Sequence, residues 1–322
     1  LNHSLTRYLA LRLFATIPLL LVISILVFVL VHLAPGDAAS ALSGGRAISQ
    51  EAMDALRAKY HLDEPMVMQY VLWLGDAVTG DFGTSIQTRQ PVATAVLDRA
   101  PLSLWLTFYA TVIVLGAGVP LGLAAALRRG SRMDRSVVTL SVFGVSTPAF
   151  VSGLFLLYYL GFVAGLFPVF GTGRDGGFLI QVWHLTLPAL ALALAVMAIV
   201  VKITRAAVIE EMEKDYVAFA RARGVPERRI VLSYLLRNAL VPVVTAASVI
   251  VVATMAGAIY VEITFALPGL GSLLVDAVRQ RDIPVIQGAT LFFSLFVIVV
   301  NVLTDILYVL IDPRIQFGKA AR

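Results

Sequence analysis

The chain has no cysteine among its 322 residues, which rules out disulfides, thiolate catalysis, thiolate metal sites and thiol redox switches. Charge is scarce too: Asp, Glu, Lys and Arg together make up 14%, against about 25% in soluble domains. The four histidines, His3, His32, His61 and His184, form no HExxH or HxxxH spacing, so no metal site is expected. No G-x-x-x-x-G-K-[ST] run occurs, and with it goes any phosphate-cradling loop. The stretch holding Gly171, Gly173, Gly176 and Gly177 lacks a Lys-Ser/Thr and a polar helix start, so it reads as an external loop. No G-x-S-x-G nucleophile elbow is present. Low-complexity tracts are absent, as is the internal duplication found in many secondary transporters.

What the chain has is apolar surface. Hydrophobic residues reach 59%, against ~45–50% in soluble domains, and mean hydropathy is +0.88. At ~20 apolar residues per spanning helix, hydropathy places spans at residues 13–34, 101–127, 137–162, 182–203, 238–261 and 286–311. The first run is too long for the ~7–15-residue core of a signal peptide and ends in Pro35-Gly36-Asp37, so it reads as a retained span. Pro101 is expected in the first turn of span two, where its missing N–H costs little. The third span is interrupted at Ser146-Thr147-Pro148. Residues 35–100 are more polar, with helices expected from Ser49 to Lys59 and from Pro65 to Val78, and read as a small external cap. With the N-terminus inside, inner segments carry 17 of the 25 Lys and Arg residues, the sign expected of cytoplasmic loops. The fold class is therefore an all-α integral membrane protein with six spans, both termini cytoplasmic.

The segment from Val208 to Pro242 is charged and lies between spans four and five. Val208, Met212, Tyr216 and Phe219 are spaced as one apolar stripe on a short helix. Glu210, Glu211 and Glu213 lie toward its start, and Arg221 and Arg223 at its end, matching the helix dipole. Gly224 is placed to end that helix in a left-handed conformation, and Pro226 with Glu227 to open the next. Such a segment either rests on anionic lipid or docks a partner. In the second case Tyr216 and Phe219 are the anchors, and Ala218, Ala220 and Ala222 allow close approach.

Asp215-Tyr216-Val217-x-x-Ala220-Arg221-Ala222-x-Gly224-Val225-Pro226-Glu227-Arg228, followed by Leu236-Arg237-Asn238-Ala239-Leu240-x-Pro242, resembles the EAA loop of ABC importer permeases in its dipeptide/oligopeptide variant. Ala218 stands where that motif has Glu. The likeness continues through Pro35-Gly36-Asp37, Gly80-Asp81-Phe82-Gly83-Thr84-Ser85, His184-Leu185-x-Leu187-Pro188-Ala189, Phe265-x-x-Pro268-Gly269-Leu270-Gly271, Arg281-Asp282-x-Pro284-x-x-Gln287-Gly288 and Asn301-x-x-x-Asp305-x-x-Tyr308-x-x-x-Asp312-Pro313-Arg314. The resemblance implies a binding-protein-dependent permease of the type I importer fold in a bacterial inner membrane. Its first span lies in residues 1–34, its cap in 35–100, its transmembrane core in 101–312 and its tail in 313–322. It also implies an ATPase-coupling segment at 206–236, with Asp215, Tyr216, Phe219, Ala220, Arg221, Gly224, Pro226, Glu227 and Arg228. The implied partners are a second permease, two ATPases holding ATP and Mg, and an external solute-binding protein; no cofactor is implied in this chain. Dipeptides or oligopeptides are the implied cargo. Nickel chelates, glutathione or haem carried by the same machinery, and a secondary transporter, remain open alternatives.

The external loop 263–285 lies by the same likeness beneath the binding protein, with Phe265, Pro268, Gly269, Leu270, Gly271, Asp276, Arg279, Arg281 and Asp282 as gate or contact residues. Asn301, Asp305 and Tyr308 share one face of span six, and a structural polar role is favoured for them over substrate contact. His32 and Glu262 fall near outer span ends, within reach of interfacial water. Gly118 and Gly122 form a small-xxx-small pair suited to close helix approach.

Overall fold

The structure is a computed structural model that describes residues 2–33, 49–59 and 61–311. Pro35-Gly36-Asp37, Asp312-Pro313-Arg314 and the tail 313–322 lie outside the described residues. The described backbone is helical apart from turns and one isolated antiparallel bridge, Thr84 to Pro91. It divides into two compact units, Leu1–Ser103 with Pro268–Val302, and Leu104–Leu267 with Leu303–Arg322.

The first unit opens with α1 (Asn2–Leu33), which contains Pro18 and the apolar stretch Phe14–Val29. α2 (Gln50–Lys59) is capped by the Ser49 hydroxyl, which accepts from the Ala52 amide at 3.2 Å. Pro65 precedes α3 (Met66–Thr79), where its lack of an N–H leaves nothing unsatisfied. Gly80 ends α3 at φ +89°, a left-handed value that suits glycine. The first third of α4 (Val92–Leu127) belongs to this unit, as do α11 (Leu270–Gln280) and most of α12 (Ile283–Ile311). Buried polar contacts join these elements. The Ser103 hydroxyl accepts from the Leu270 amide at 2.8 Å, and Gln287 Nε2 donates to the Val27 carbonyl at 3.1 Å. Each satisfies a group that would be costly if left unpaired in an apolar interior.

In the second unit α5 (Arg132–Ser146) and α6 (Ala149–Leu156) are two halves of one apolar stretch, with the helical path after the break bent by 105°. Pro148 supplies the break: it has no N–H to donate, and Thr147 before it is extended at φ −100°, ψ 118°. α6 runs on through a wider π-type turn, Leu157–Val163. α7 (Phe178–Met212) is the buried centre of the unit, with Leu185, Leu187, Leu192, Val200 and Val208 all excluded from solvent. α8 (Asp215–Ala222), a turn at Glu227–Arg229, a π-type segment Ile230–Leu236, α9 (Arg237–Thr245) and α10 (Ala247–Thr264) complete it. Among the described residues, four helices, α4, α7, α10 and α12, are long and apolar enough to cross a membrane; the bent α5–α6 pair makes five if it counts as one span, and α1 carries a shorter apolar stretch.

Two expectations need correction. α4 starts at Val92, so Pro101 sits nine residues inside the helix and not in its first turn. The segment expected as a loop at 263–285 is largely helical, with α10 running to Thr264, α11 over Leu270–Gln280 and α12 starting at Ile283.

Gly118 and Gly122 serve close approach of α4 to α7. A Cβ at Gly122 would lie 2.7 Å from the Val201 carbonyl oxygen and from Thr204 Cβ, whereas one at Gly116 would meet nothing within 4 Å. Gly122→Val is expected to destabilise the purified subunit by about 1–3 kcal/mol or more, the usual cost of overpacking. Gly116→Ala should be neutral, and thermal unfolding in detergent checks both.

Candidate partner-docking helix and its supports

α7 ends at Met212 because the chain turns at Glu213 and Lys214, where Lys214 takes an extended conformation at φ −79°, ψ 142°. α8 then runs from Asp215, an acidic residue in its first turn, to Ala222, with Arg221 in its last, which suits the helix dipole. Gly224 sits at φ +75° just beyond, and Pro226 caps the next turn with Glu227 first inside. The predicted stripe therefore does not lie on one helix. Val208 and Met212 belong to α7, and only Tyr216 and Phe219 are on α8. Helical spacing was counted across a break that carries neither Gly nor Pro.

The two anchor candidates also point different ways. Tyr216 turns inward and its hydroxyl donates to the Glu211 carboxylate. Asn238 Nδ2 reaches both the Tyr216 hydroxyl at 2.9 Å and Glu211 Oε2 at 3.3 Å, and the Lys214 ammonium bonds Glu211 Oε1. One carboxylate at the foot of α7 thus ties α8 and the start of α9. Burial, then the hydrogen bond to Glu211, holds the Tyr216 hydroxyl above the usual phenol range, so it stays a neutral donor. Contact with Glu211 raises the Lys214 ammonium above its usual value and keeps it charged. Phe219, one turn further on, is 69% exposed. Val217 and Ala220 face inward into a cluster with Ala126, Val208, Ile230, Leu235 and Ala239. Ala218 and Ala222 are exposed. Arg221 pairs with Glu227 at 2.8 Å across the Gly224 turn, and Arg228 is exposed.

Two further ion pairs brace this end of the unit. Arg129 reaches Glu213 at 2.9 Å. Arg205 Nε and Nη2 grip both oxygens of the buried Asp134 at 2.6 and 2.9 Å, and the Gly130 amide donates to the same carboxylate. These ties link the α4–α5 turn to the foot of α7. Sequence reading missed them, as it missed Glu211, because each joins residues that only the fold brings together.

In the first unit the expected gate residues separate. Asp276, Arg279 and Arg281 are exposed, while Asp282 is 3% exposed. The Asp282 carboxylate accepts from the Ser85 hydroxyl at 2.5 Å, the Ile86 amide at 3.2 Å and the Gln87 amide at 3.3 Å. It is an anchor for the 85–87 turn, with Gln87 Nε2 bonding the Gln280 carbonyl at 3.0 Å alongside. Leu270 and Gly271 are buried, as is Gly269, whereas Pro268 is exposed. In the second unit Phe265 packs against Gly153. Glu262 is fully buried, which corrects its expected reach to water; the side chain of His32 lies outside the described residues. On α12, Asn301 is exposed and Asp305 half-buried, and the side chain of Tyr308 lies outside the described residues.

These features define a class: a polytopic helical membrane protein with a short surface helix tied to the ends of two apolar helices. Residues 118–317 match the model of the binding-protein-dependent transport system inner membrane component, and residues 5–107 match that of the N-terminal part of such membrane components. The chain belongs to this family of inner-membrane permease components of binding-protein-dependent transport systems. It is 39% identical over 312 residues to the glutathione transport system permease protein GsiC of Shigella flexneri serotype 5b (strain 8401), covering 97% of this chain and 99% of that protein. The GsiC protein of Escherichia coli (strain K12) gives the same identity and coverage. A protein of Brucella suis biovar 1 (strain 1330) named "Putative peptide permease protein" is 40% identical over 315 residues, 96% of this chain and 99% of its own length. The chain is thus a permease subunit of an ABC importer.

Two outcomes follow from the ties. Tyr216→Phe and Asn238→Ala should each lower stability by roughly 0.5–1.5 kcal/mol, and the double variant by less than their sum because both serve one carboxylate; thermal unfolding of the four proteins checks this. Asp282→Ala leaves buried donors unpaired at about 1–3 kcal/mol apiece, so proteolysis within residues 84–91 should accelerate while membrane insertion is retained.

Proposed function

We propose that the chain forms half of the translocation pathway for short peptides, glutathione among them, and that α8 is the element on which a cytoplasmic ATPase acts. The observation that carries this reading is Phe219: a large aromatic side chain, 69% exposed, on a helix fixed from behind by Glu211, Tyr216 and Asn238. An exposed aromatic on a braced helix suits insertion into a partner's pocket, because little ordering entropy is then lost on docking.

In this reading the end of the molecule with α8 faces the cytoplasm, as do both termini, in keeping with the excess of Lys and Arg on those segments. A homologous second permease completes the pathway. Two ATPases, with ATP and Mg, supply the work, and a solute-binding protein delivers cargo to the opposite face. Closure of the ATPase pair displaces α8. Because α8 is tied to the foot of α7, to the start of α9 and, through Arg129 and Asp134, to the α4–α5 turn, the displacement reaches several spans together. The ATPase shifts the permease only insofar as it binds the two states with different affinity. The peptide cargo is supported by the names of relatives that match almost end to end. Glutathione and the shorter peptides share amide and carboxylate groups, so one pathway serves both.

Phe219→Asp is expected to abolish co-purification of the ATPase and ATP-driven uptake while the subunit still inserts, and Phe219→Leu to retain most of both. Retained ATPase binding and normal uptake in the Asp variant would overturn the assignment of α8. Uptake of a labelled panel of glutathione, dipeptides and longer peptides by the assembled system tests the cargo.

A further inference from the structure

α3 carries an apolar face that the described residues leave largely uncovered. Val67, Val71, Leu74 and Val78 are spaced four, three and four residues apart and so form one stripe along the helix. Val67 is 75% exposed and Val78 79%, Val71 is also exposed, and Leu74 is half-buried. Gln69 and Asp76, seven residues apart, share the face opposite. There Gln69 Nε2 holds the Leu62 and Glu64 carbonyls at 3.2 and 2.8 Å. A third face meets α1: the Tyr70 hydroxyl and Ser24 Oγ are 2.8 Å apart, and the Phe28 ring lies 5.5 Å from Tyr70 and 5.7 Å from Trp73.

These contacts fix how deep α3 sits. Phe28 and Ser24 stand five and nine residues before Leu33, the end of α1, about 7 and 13 Å of helical rise. Both fall in the apolar stretch Phe14–Val29, whose neighbouring side chains Leu21, Val22, Ile25 and Leu26 are exposed. A helix resting in the membrane interface sinks its apolar face by ~5–10 Å, so α3 is held beside α1 at the depth such a helix occupies. Tyr and Trp are the residues enriched at that level, and Tyr70 and Trp73 are what α3 presents to α1.

We infer that α3 is not a solvent-facing cap but a helix embedded in the lipid interface at the C-terminal end of α1, with Val67, Val71, Leu74 and Val78 against acyl chains and Asp76 toward water. α1 also exposes apolar side chains, Leu21, Val22, Ile25 and Leu26, to the same bilayer. The inference rests on the assignment of the chain as a membrane permease. It makes the turn at Gly80 and the Asp282-anchored turn at 85–87, both next in sequence, elements positioned by the lipid surface as well as by α11 and α12.

The absence of native cysteine allows a direct test. Single variants Val67→Cys, Val71→Cys, Leu74→Cys, Val78→Cys and Asp76→Cys are made in the assembled transporter and labelled with a nitroxide. The complex is then reconstituted into phosphatidylethanolamine–phosphatidylglycerol vesicles with ATP-driven uptake retained. Relaxation by oxygen, which partitions into lipid, should exceed relaxation by a water-soluble nickel complex at the four stripe positions, giving positive depth parameters, with the reverse at Asp76→Cys. Equal access of the nickel complex to all five sites would make α3 an aqueous cap and overturn the inference. Stripe positions shielded from both reagents would assign the face to a protein partner, the second permease or the binding protein, and overturn it equally.

Discussion

A bilayer interior offers no water to an unpaired backbone amide or carbonyl, and every break in this chain's helices is shaped by that constraint. At Ser146-Thr147-Pro148 the chain bends by 105°: Pro148 has no donor to leave open, and Thr147 sends both its amide and its hydroxyl to the Phe143 carbonyl. The π-type segments at Leu157–Val163 and Ile230–Leu236 continue the helices they adjoin, so the backbone stays helical through them. The sharp reversals, at Glu213-Lys214 and at Gly224, fall next to the charged residues of the surface helix, where water can serve what the helix leaves open.

Three buried carboxylates sit at joints. Asp134 with Arg205, Glu211 with Lys214, Tyr216 and Asn238, and Asp282 with the 85–87 turn each close a place where one element hands over to another. Removing a carboxylate from such a set leaves its donors desolvated and unpaired, which costs more than the pair contributes while intact. Apolar packing between helices is tolerant of sliding, since lipid tails and leucine side chains differ little. The polar ties are directional, so they hold α8 to α7 and α9 in one geometry.

Much of this architecture was legible in the sequence, and the parts that were not share a reason. Hydropathy located the apolar stretches of α4, α7, α10 and α12, but helices outrun the lipid-facing stretch, so Val92 to Ala100 continues α4 through Asp98 and Arg99. Gly224, Pro226 and Pro148 announced their turns because their backbone chemistry is local. The turn at Glu213-Lys214 has no such signature, and the period drawn through it joined Val208 and Phe219, which belong to different helices. Asp282 read as a loop charge because its partners, Ser85 to Gln87, lie nearly two hundred residues away.

The arrangement of α8 explains why its two aromatic residues carry different loads. Tyr216 is spent on the inside, as a neutral donor to Glu211, and fixes the helix; Phe219 is left outside with small neighbours, Ala218 and Ala222. Were both exposed, the helix would dock well but swing on the glycine turn and transmit little. Were both buried, it would be rigid but offer a partner nothing to grip. In the proposed coupling, division of the pair, one as anchor and one as handle, lets a helix of eight residues pass force from a motor to the spans behind it.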